Sequence, residues 1–149
     1  MADPAKKRTR PRAPHWYAVF LGLSTFDAAS LEERVLEGFA YETVLRLQDE
    51  IDLTLGELAE LVQIPPRTMA RRRGEGRLHP DESDRVLRAA RILGRASELF
   101  EGDLEAARRW LGTPNPALGG RTPLSYARTE IGSREVERLI GRIEHGVAS

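Results

Sequence analysis

From Tyr41 to the end of the chain, apolar residues recur every three or four positions and no useful stretch alternates with period two. Tyr41, Val44, Leu47 and Ile51 share one helical face, and Leu55, Leu58, Ala59 and Val62 share the next. A longer stripe starts near Pro80 and carries Val86, Leu87, Ala90, Leu93, Ala96 and Leu99 on its inner side. Leu104, Ala107, Trp110 and Leu111 mark another helix, and Val136, Leu139, Ile140 and Ile143 mark the last. Before Tyr41 the pattern weakens. A short helix is predicted from Leu31 to Gly38, and His15 to Leu21 is an aromatic segment that either packs on the domain or mediates self-association.

Helix boundaries follow from the residues between the stripes. Ser30 is the expected cap of the short helix. Thr54 and Glu57 form a capping box, in which the hydroxyl accepts from the backbone N–H three residues on and the carboxylate reaches back. Pro65 suits the first turn of a helix that ends near Gly74 or Gly76, because its missing N–H costs little there. Asp103 is placed to cap the helix of Leu104, and Gly112 to Arg121 is a turn-rich loop. Thr122-Pro123 restarts a helix that Gly132 is expected to stop, with Ser133 capping the last one. The expected fold is all-α.

Composition narrows the class. The chain has 149 residues, 40% of them hydrophobic and 31% charged, which is enough for one domain or two small ones with a buried core. Cysteine is absent, so disulfides and thiolate metal sites are excluded. The longest apolar run, Trp16 to Leu23, is too short for a bilayer span and lacks a signal-peptide cleavage site. A cytoplasmic protein with no membrane association is expected.

A net charge of zero hides segregation. Residues 1–14 hold five bases against Asp3, and residues 67–77 hold Arg67, Arg71, Arg72, Arg73 and Arg77 against Glu75. Each segment is therefore +4, while residues 15–66 set ten acids against Arg34 and Arg46. Phosphates respond to the local field, so the basic islands keep DNA in play. The first island is either a basic arm or a solubilising terminus.

Leu55 to Gly74 reads as a helix-turn-helix: Ala59 lets the helices approach, and Leu58, Val62, Ile64 and Met69 flank the turn. Arg67, Thr68 and Arg71 are expected to point toward the major groove, with Arg72 and Arg73 where phosphates pass. A helical hairpin serving dimerisation, its arginines merely solvated, is the alternative. Gln63 stands where such turns usually carry glycine, and a positive φ there costs about 1 kcal/mol. Asp81, Glu82 and Asp84 give the next helix an acid-rich start that complements its dipole and can pair with nearby arginines.

Toward the C-terminus, Trp110-Leu111, Thr113-Pro114-Asn115, Leu118-Gly119-Gly120, Thr122-Pro123-Leu124, Gly132 and Glu144-His145-Gly146-Val147 occur in a fixed order. This set, together with Glu82-Ser83-Asp84-Arg85, resembles the Xre/MbcA/ParS-type antitoxins, whose partners are RES-domain toxins. The resemblance runs from about Glu37 to Ser149 and is tightest from Ala106 onward. After a basic arm and N-terminal extension over 1–30, expected from composition to be partly disordered, it implies an Xre-like helix-turn-helix domain over 31–100 and a helical toxin-binding domain over 101–149.

It further implies an inhibitor that places its C-terminal end, His145, Gly146, Val147, Ala148 and Ser149, in the active site of an NAD-consuming toxin. Operator DNA and a second copy of the chain are the other partners it implies. The residues suit that role. Gly146 can end the helix in a left-handed conformation, freeing a short tail whose small side chains fit a narrow cleft and whose carboxylate and Ser149 hydroxyl offer acceptors. His145 is otherwise a helix C-terminal cation, and Trp110 is read first as core with an interface role as the alternative.

No nucleophile–base pair, phosphate loop or metal motif is present, so no catalytic residue, metal or cofactor is expected. The competing reading is a stand-alone helix-turn-helix regulator or localisation factor that uses its C-terminal domain for another partner.

Overall fold

The computed structural model describes residues 13–146, so the basic cluster from Lys6 to Arg12 and the tail Val147 to Ser149 lie outside the described residues. Within 13–146 the chain is helical, and its one β-type contact is an isolated antiparallel bridge between Ala40 and Arg77. The elements are a 3₁₀ turn (Trp16–Leu21), α1 (Ala28–Glu37), α2 (Glu42–Ile51), α3 (Leu55–Leu61), α4 (Pro66–Glu75), α5 (Pro80–Leu99), α6 (Leu104–Leu111), α7 (Pro123–Tyr126) and α8 (Glu130–Glu144), with a second 3₁₀ turn at Pro116–Leu118.

α5 is the axis of the fold. Val86, Ala90, Leu93 and Ala96 are buried on it, with Ala89 and Ile92 beside them, and Leu87 and Leu99 are half-buried. The first 3₁₀ turn, α1, α2, α6 and α8 all pack against it. The aromatic segment thus packs on the domain: Tyr17, Ala18, Phe20 and Leu21 are buried, and only Val19 of that turn is exposed. Gly94 makes this possible, since a Cβ there would lie 2.8 Å from the Cβ of Tyr17.

Several helix starts follow the sequence reading. Glu57 N donates to Thr54 Oγ1 at 3.1 Å and Thr54 N to Glu57 Oε1 at 3.0 Å, completing the capping box. Ala106 N donates to Asp103 Oδ1, and Ser125 N to Thr122 Oγ1. Asn115 organises its loop by accepting from Ala117 N through its side chain and from Gly120 N through its carbonyl.

Other starts differ. α1 begins three residues early because Asp27, not Ser30, is the cap; Ser30 N donates to Asp27 Oδ1 at 2.8 Å. Pro65 flanks α4 as its cap residue, and Pro66 takes the first helical position. The helix opened by Thr122 ends at Tyr126, and α8 starts before Gly132, capped by Thr129 through Gly132 N to Oγ1 at 3.0 Å. Gly132 does not stop a helix. It lets α7 rest on the first turn of α8, where an added Cβ would fall 1.7 Å from the carbonyl oxygen of Tyr126. Ser133 is accordingly buried inside α8, and Ile143, expected on the inner stripe, is 43% exposed.

Candidate functional site

The helix-turn-helix is α3, the turn at Gln63 and α4. Gln63 adopts φ 55°, the left-handed conformation its position demands, and its side-chain amide donates to Glu60 O at 2.6 Å. Ile64 N donates to Ala59 O, drawing the second helix back on the first, while Arg85 Nε donates to Val62 O and fastens the turn to α5. Leu58, Ala59, Val62, Ile64 and Met69 are buried between the helices.

α4 presents Arg67, Ala70, Arg71 and Arg73 to solvent, with Thr68 half-exposed. Arg67 and Arg71 are four residues apart, so both guanidiniums lie on one face. Arg72 does not share that surface and is only 4% exposed. Its Nε and Nη2 donate to the two carboxylate oxygens of Glu82 at 2.6 and 3.0 Å, Nη1 donates to Glu75 at 3.0 Å, and Nη2 lies 3.1 Å from His79 Nδ1. The expectation that Arg72 meets phosphates is corrected: it sits three residues from Met69, on the inward face, and its donors are spent on Glu82 of α5 and Glu75 of its own helix. The acid-rich start of α5 does pair with an arginine, through Glu82.

The electrostatics of this pair are mutual. Burial alone would raise the Glu82 carboxyl, but the Arg72 guanidinium and the His79 backbone N–H outweigh it and hold it below the usual carboxylate range. Arg72 is pushed up, chiefly by the hydrogen bond to Glu82. Arg77, at the end of the basic island, reaches back to Gly38 O at 2.6 Å.

The second region is the end of α8. Three arginines at successive turns of α5 grip three glutamates spaced by seven on α8: Arg88 to Glu130 at 3.4 Å, Arg91 to Glu137 at 2.8 Å and Arg95 to Glu144 at 2.9 Å. Val136, Leu139 and Ile140 are buried on that side of α8. The last contact fixes the final turn. His145 follows it, exposed, with its N–H on Gly141 O, and Gly146 turns left-handed at φ 69° with its N–H on Ile143 O. Val147, Ala148 and Ser149 lie outside the described residues. Trp110 is half-buried and packs against the core.

Among the described residues, no group of three or more His, Asp or Glu side chains is arranged to hold a metal ion, and no helix is long and apolar enough to cross a membrane. The arginine ladder and the Thr129 cap escaped the sequence reading. The i, i+7, i+14 spacing of Glu130, Glu137 and Glu144 and the Thr129-x-x-Gly132 start were the signals available.

Comparison with known proteins matches the same two regions. Residues 30–91 match the antitoxin Xre-like helix-turn-helix domain, and residues 95–146 match the antitoxin Xre/MbcA/ParS C-terminal toxin-binding domain. The two meet inside the continuous helix α5, between Arg91 and Arg95. An antitoxin Xre of Yersinia enterocolitica is 37% identical over 130 residues, spanning 87% of this chain and 88% of that protein. One from Photorhabdus laumondii is 35% identical over 137 residues, 91% of each, and one from Pseudomonas putida is 33% identical over 117 residues, 78% of this chain and 72% of the relative. With two consecutive domain matches and relatives alike over most of both lengths, the chain belongs to the Xre/MbcA/ParS family of antitoxins.

Proposed function

We propose that this antitoxin silences a RES-domain, NAD-consuming toxin by placing Gly146 to Ser149 in the toxin's substrate pocket, and that it represses its own operon through α4. The supporting observation is how α8 ends. Arg95 holds Glu144 in place, Gly146 breaks the helix left-handed, and three small residues follow. A short tail on a fixed stem loses less entropy on binding than a loose peptide would. The Ser149 hydroxyl supplies an acceptor of the kind that a phosphate-binding pocket is built to receive.

The DNA reading rests on Arg67 and Arg71, exposed side by side on the second helix of the helix-turn-helix. A dimer reading two half-sites is the arrangement such units favour. Chemistry belongs to the toxin.

Deleting Val147 to Ser149 tests the mechanism. The truncated chain is expected to bind its RES-domain toxin yet leave NAD consumption running. Full inhibition by the truncated chain sinks tail insertion and leaves contacts of the folded domain as the inhibitory agent.

A further inference from the structure

The match to a toxin-binding domain ends at Gly146, immediately before Val147 to Ser149, so the folded part of that domain has a surface to be accounted for. Its most exposed large apolar side chain is Ile131, at 78%. Ile131 borders a groove of about 260 Å³ between α7 and the start of α8, lined also by Arg121, Ser125, Tyr126, Arg128 and Thr129. The groove is held rigid. Arg121 stacks 4.7 Å from the ring centre of Tyr126 and donates to Ser125 O at 2.8 Å, and Arg128 Nε donates to the same oxygen at 3.0 Å while its Nη1 pairs with Glu60 of α3.

From this groove a stripe leads to the tail. At 100° per residue, Arg134, Glu135, Arg138, Arg142 and His145 all fall within about 60° of Ile131 around α8, covering a helix length of about 21 Å. None of them is buried. The stripe carries three arginines against one glutamate, and its surface ion pairs, Arg134 with Glu130 and Arg138 with Glu135, are of the exposed kind that exchange partners at little cost.

We propose that this outer face of α8, anchored by Ile131 and the Arg121/Tyr126 groove, is a second docking surface for the toxin, and that it receives an apolar socket rimmed by acidic residues. Charge chooses the rim, and the exposed isoleucine chooses a protein over a nucleic acid, since phosphates give it nothing to bury against. Continuity with the tail chooses the toxin over a second copy. A partner lying along α8 from Ile131 meets Gly146 at the far end. The groove and stripe supply affinity and register, while the tail supplies inhibition.

This inference rests on the chain's being a toxin-binding protein, and full-length variants separate it from tail insertion. The probe is the RES-domain toxin of the proposed function with its active site disabled. Ile131→Asp is expected to weaken its binding about tenfold or more, as loss of an interface anchor does. Arg138→Glu is expected to slow association and flatten its salt dependence. An unchanged melting temperature excludes misfolding. The tail-deleted chain keeps most of its affinity. Wild-type affinity for Ile131→Asp overturns the surface, as does a change confined to self-association by sedimentation or to operator binding by gel shift. Full inhibition by the tail-deleted chain, with affinity lost in Ile131→Asp, fells tail insertion alone. Failure of the wild-type chain to bind that toxin fells both.

Discussion

Arg72 and Glu82 form a forked, buried pair, Nε to Oε1 at 2.6 Å and Nη2 to Oε2 at 3.0 Å, that joins the second helix of the helix-turn-helix to the first turn of α5. α5 then continues beneath the C-terminal domain and carries the arginines that hold α8. One helix therefore sets the position of both α4 and the stem of the tail. Truncating either member of the pair leaves the other charged and desolvated, which costs far more than losing a surface pair. Arg72→Ala is expected to lower the melting temperature by about 10 °C. The double variant Arg72→Met/Glu82→Leu is expected to recover most of that loss, since no buried charge then stands alone. Additive single-site losses, read by thermal unfolding monitored by circular dichroism, would contradict the pairing.

Acid should expose the same pair. Glu82 is held below its ordinary range despite its burial, and Glu130 is held below it as well, first by the hydrogen bond from Arg134. A depressed carboxyl stabilises the fold above its unfolded value, about 4.3, and loses that contribution as pH falls through its lower folded value. Stability should thus be flat from neutrality to about pH 5 and fall below that. In Glu82→Gln the fall should be shallower, starting from a lower plateau, in urea titrations repeated across pH.

Most local signals are legible in the sequence, the Asp27 and Thr129 caps excepted. The Thr54/Glu57 box, the Asp103 and Thr122 caps and the Asn115 loop need only residues two to five positions away, and all form as read. Arg72 is hard to place from sequence because a run of arginines looks uniformly basic; the i, i+3 step from buried Met69 is the available cue. Read locally, Gly132 is a helix stop, because a glycine's local meaning is a break, whereas its reason is the Tyr126 carbonyl packed on it. Gly94 offered no local cue. Its meaning comes from Tyr17, seventy-seven residues earlier in the chain.

Gly132→Ala should therefore be costly although alanine favours helices. The new Cβ would overlap backbone, not the yielding end of a side chain, so α7 and α8 must separate. A loss of about 3 kcal/mol is expected, at the upper end of overpacking effects. Hydrogen exchange should quicken in α7 and α8 and leave α3 and α4 unchanged. Wild-type stability would mean that the α7–α8 contact yields freely.

The last prediction separates the arginines of α4 by role. Arg67 and Arg71 are exposed on one face and Arg72 is buried, so the proposed DNA contacts fall to the first two while the third serves the fold. Arg67→Ala and Arg71→Ala should each weaken operator binding without changing the melting temperature. If the lost contact was to phosphate, the slope of log affinity against log salt should fall by about 0.9 per residue. If it was to a base edge, weakening should concentrate on one position of the operator, by about 1–3 kcal/mol. Fluorescence anisotropy on the wild-type operator and on a set of single-base variants, at several salt concentrations, reads both quantities at once. Unchanged affinity in the double variant would take α4 out of DNA recognition and leave the helix-turn-helix as a dimerisation unit.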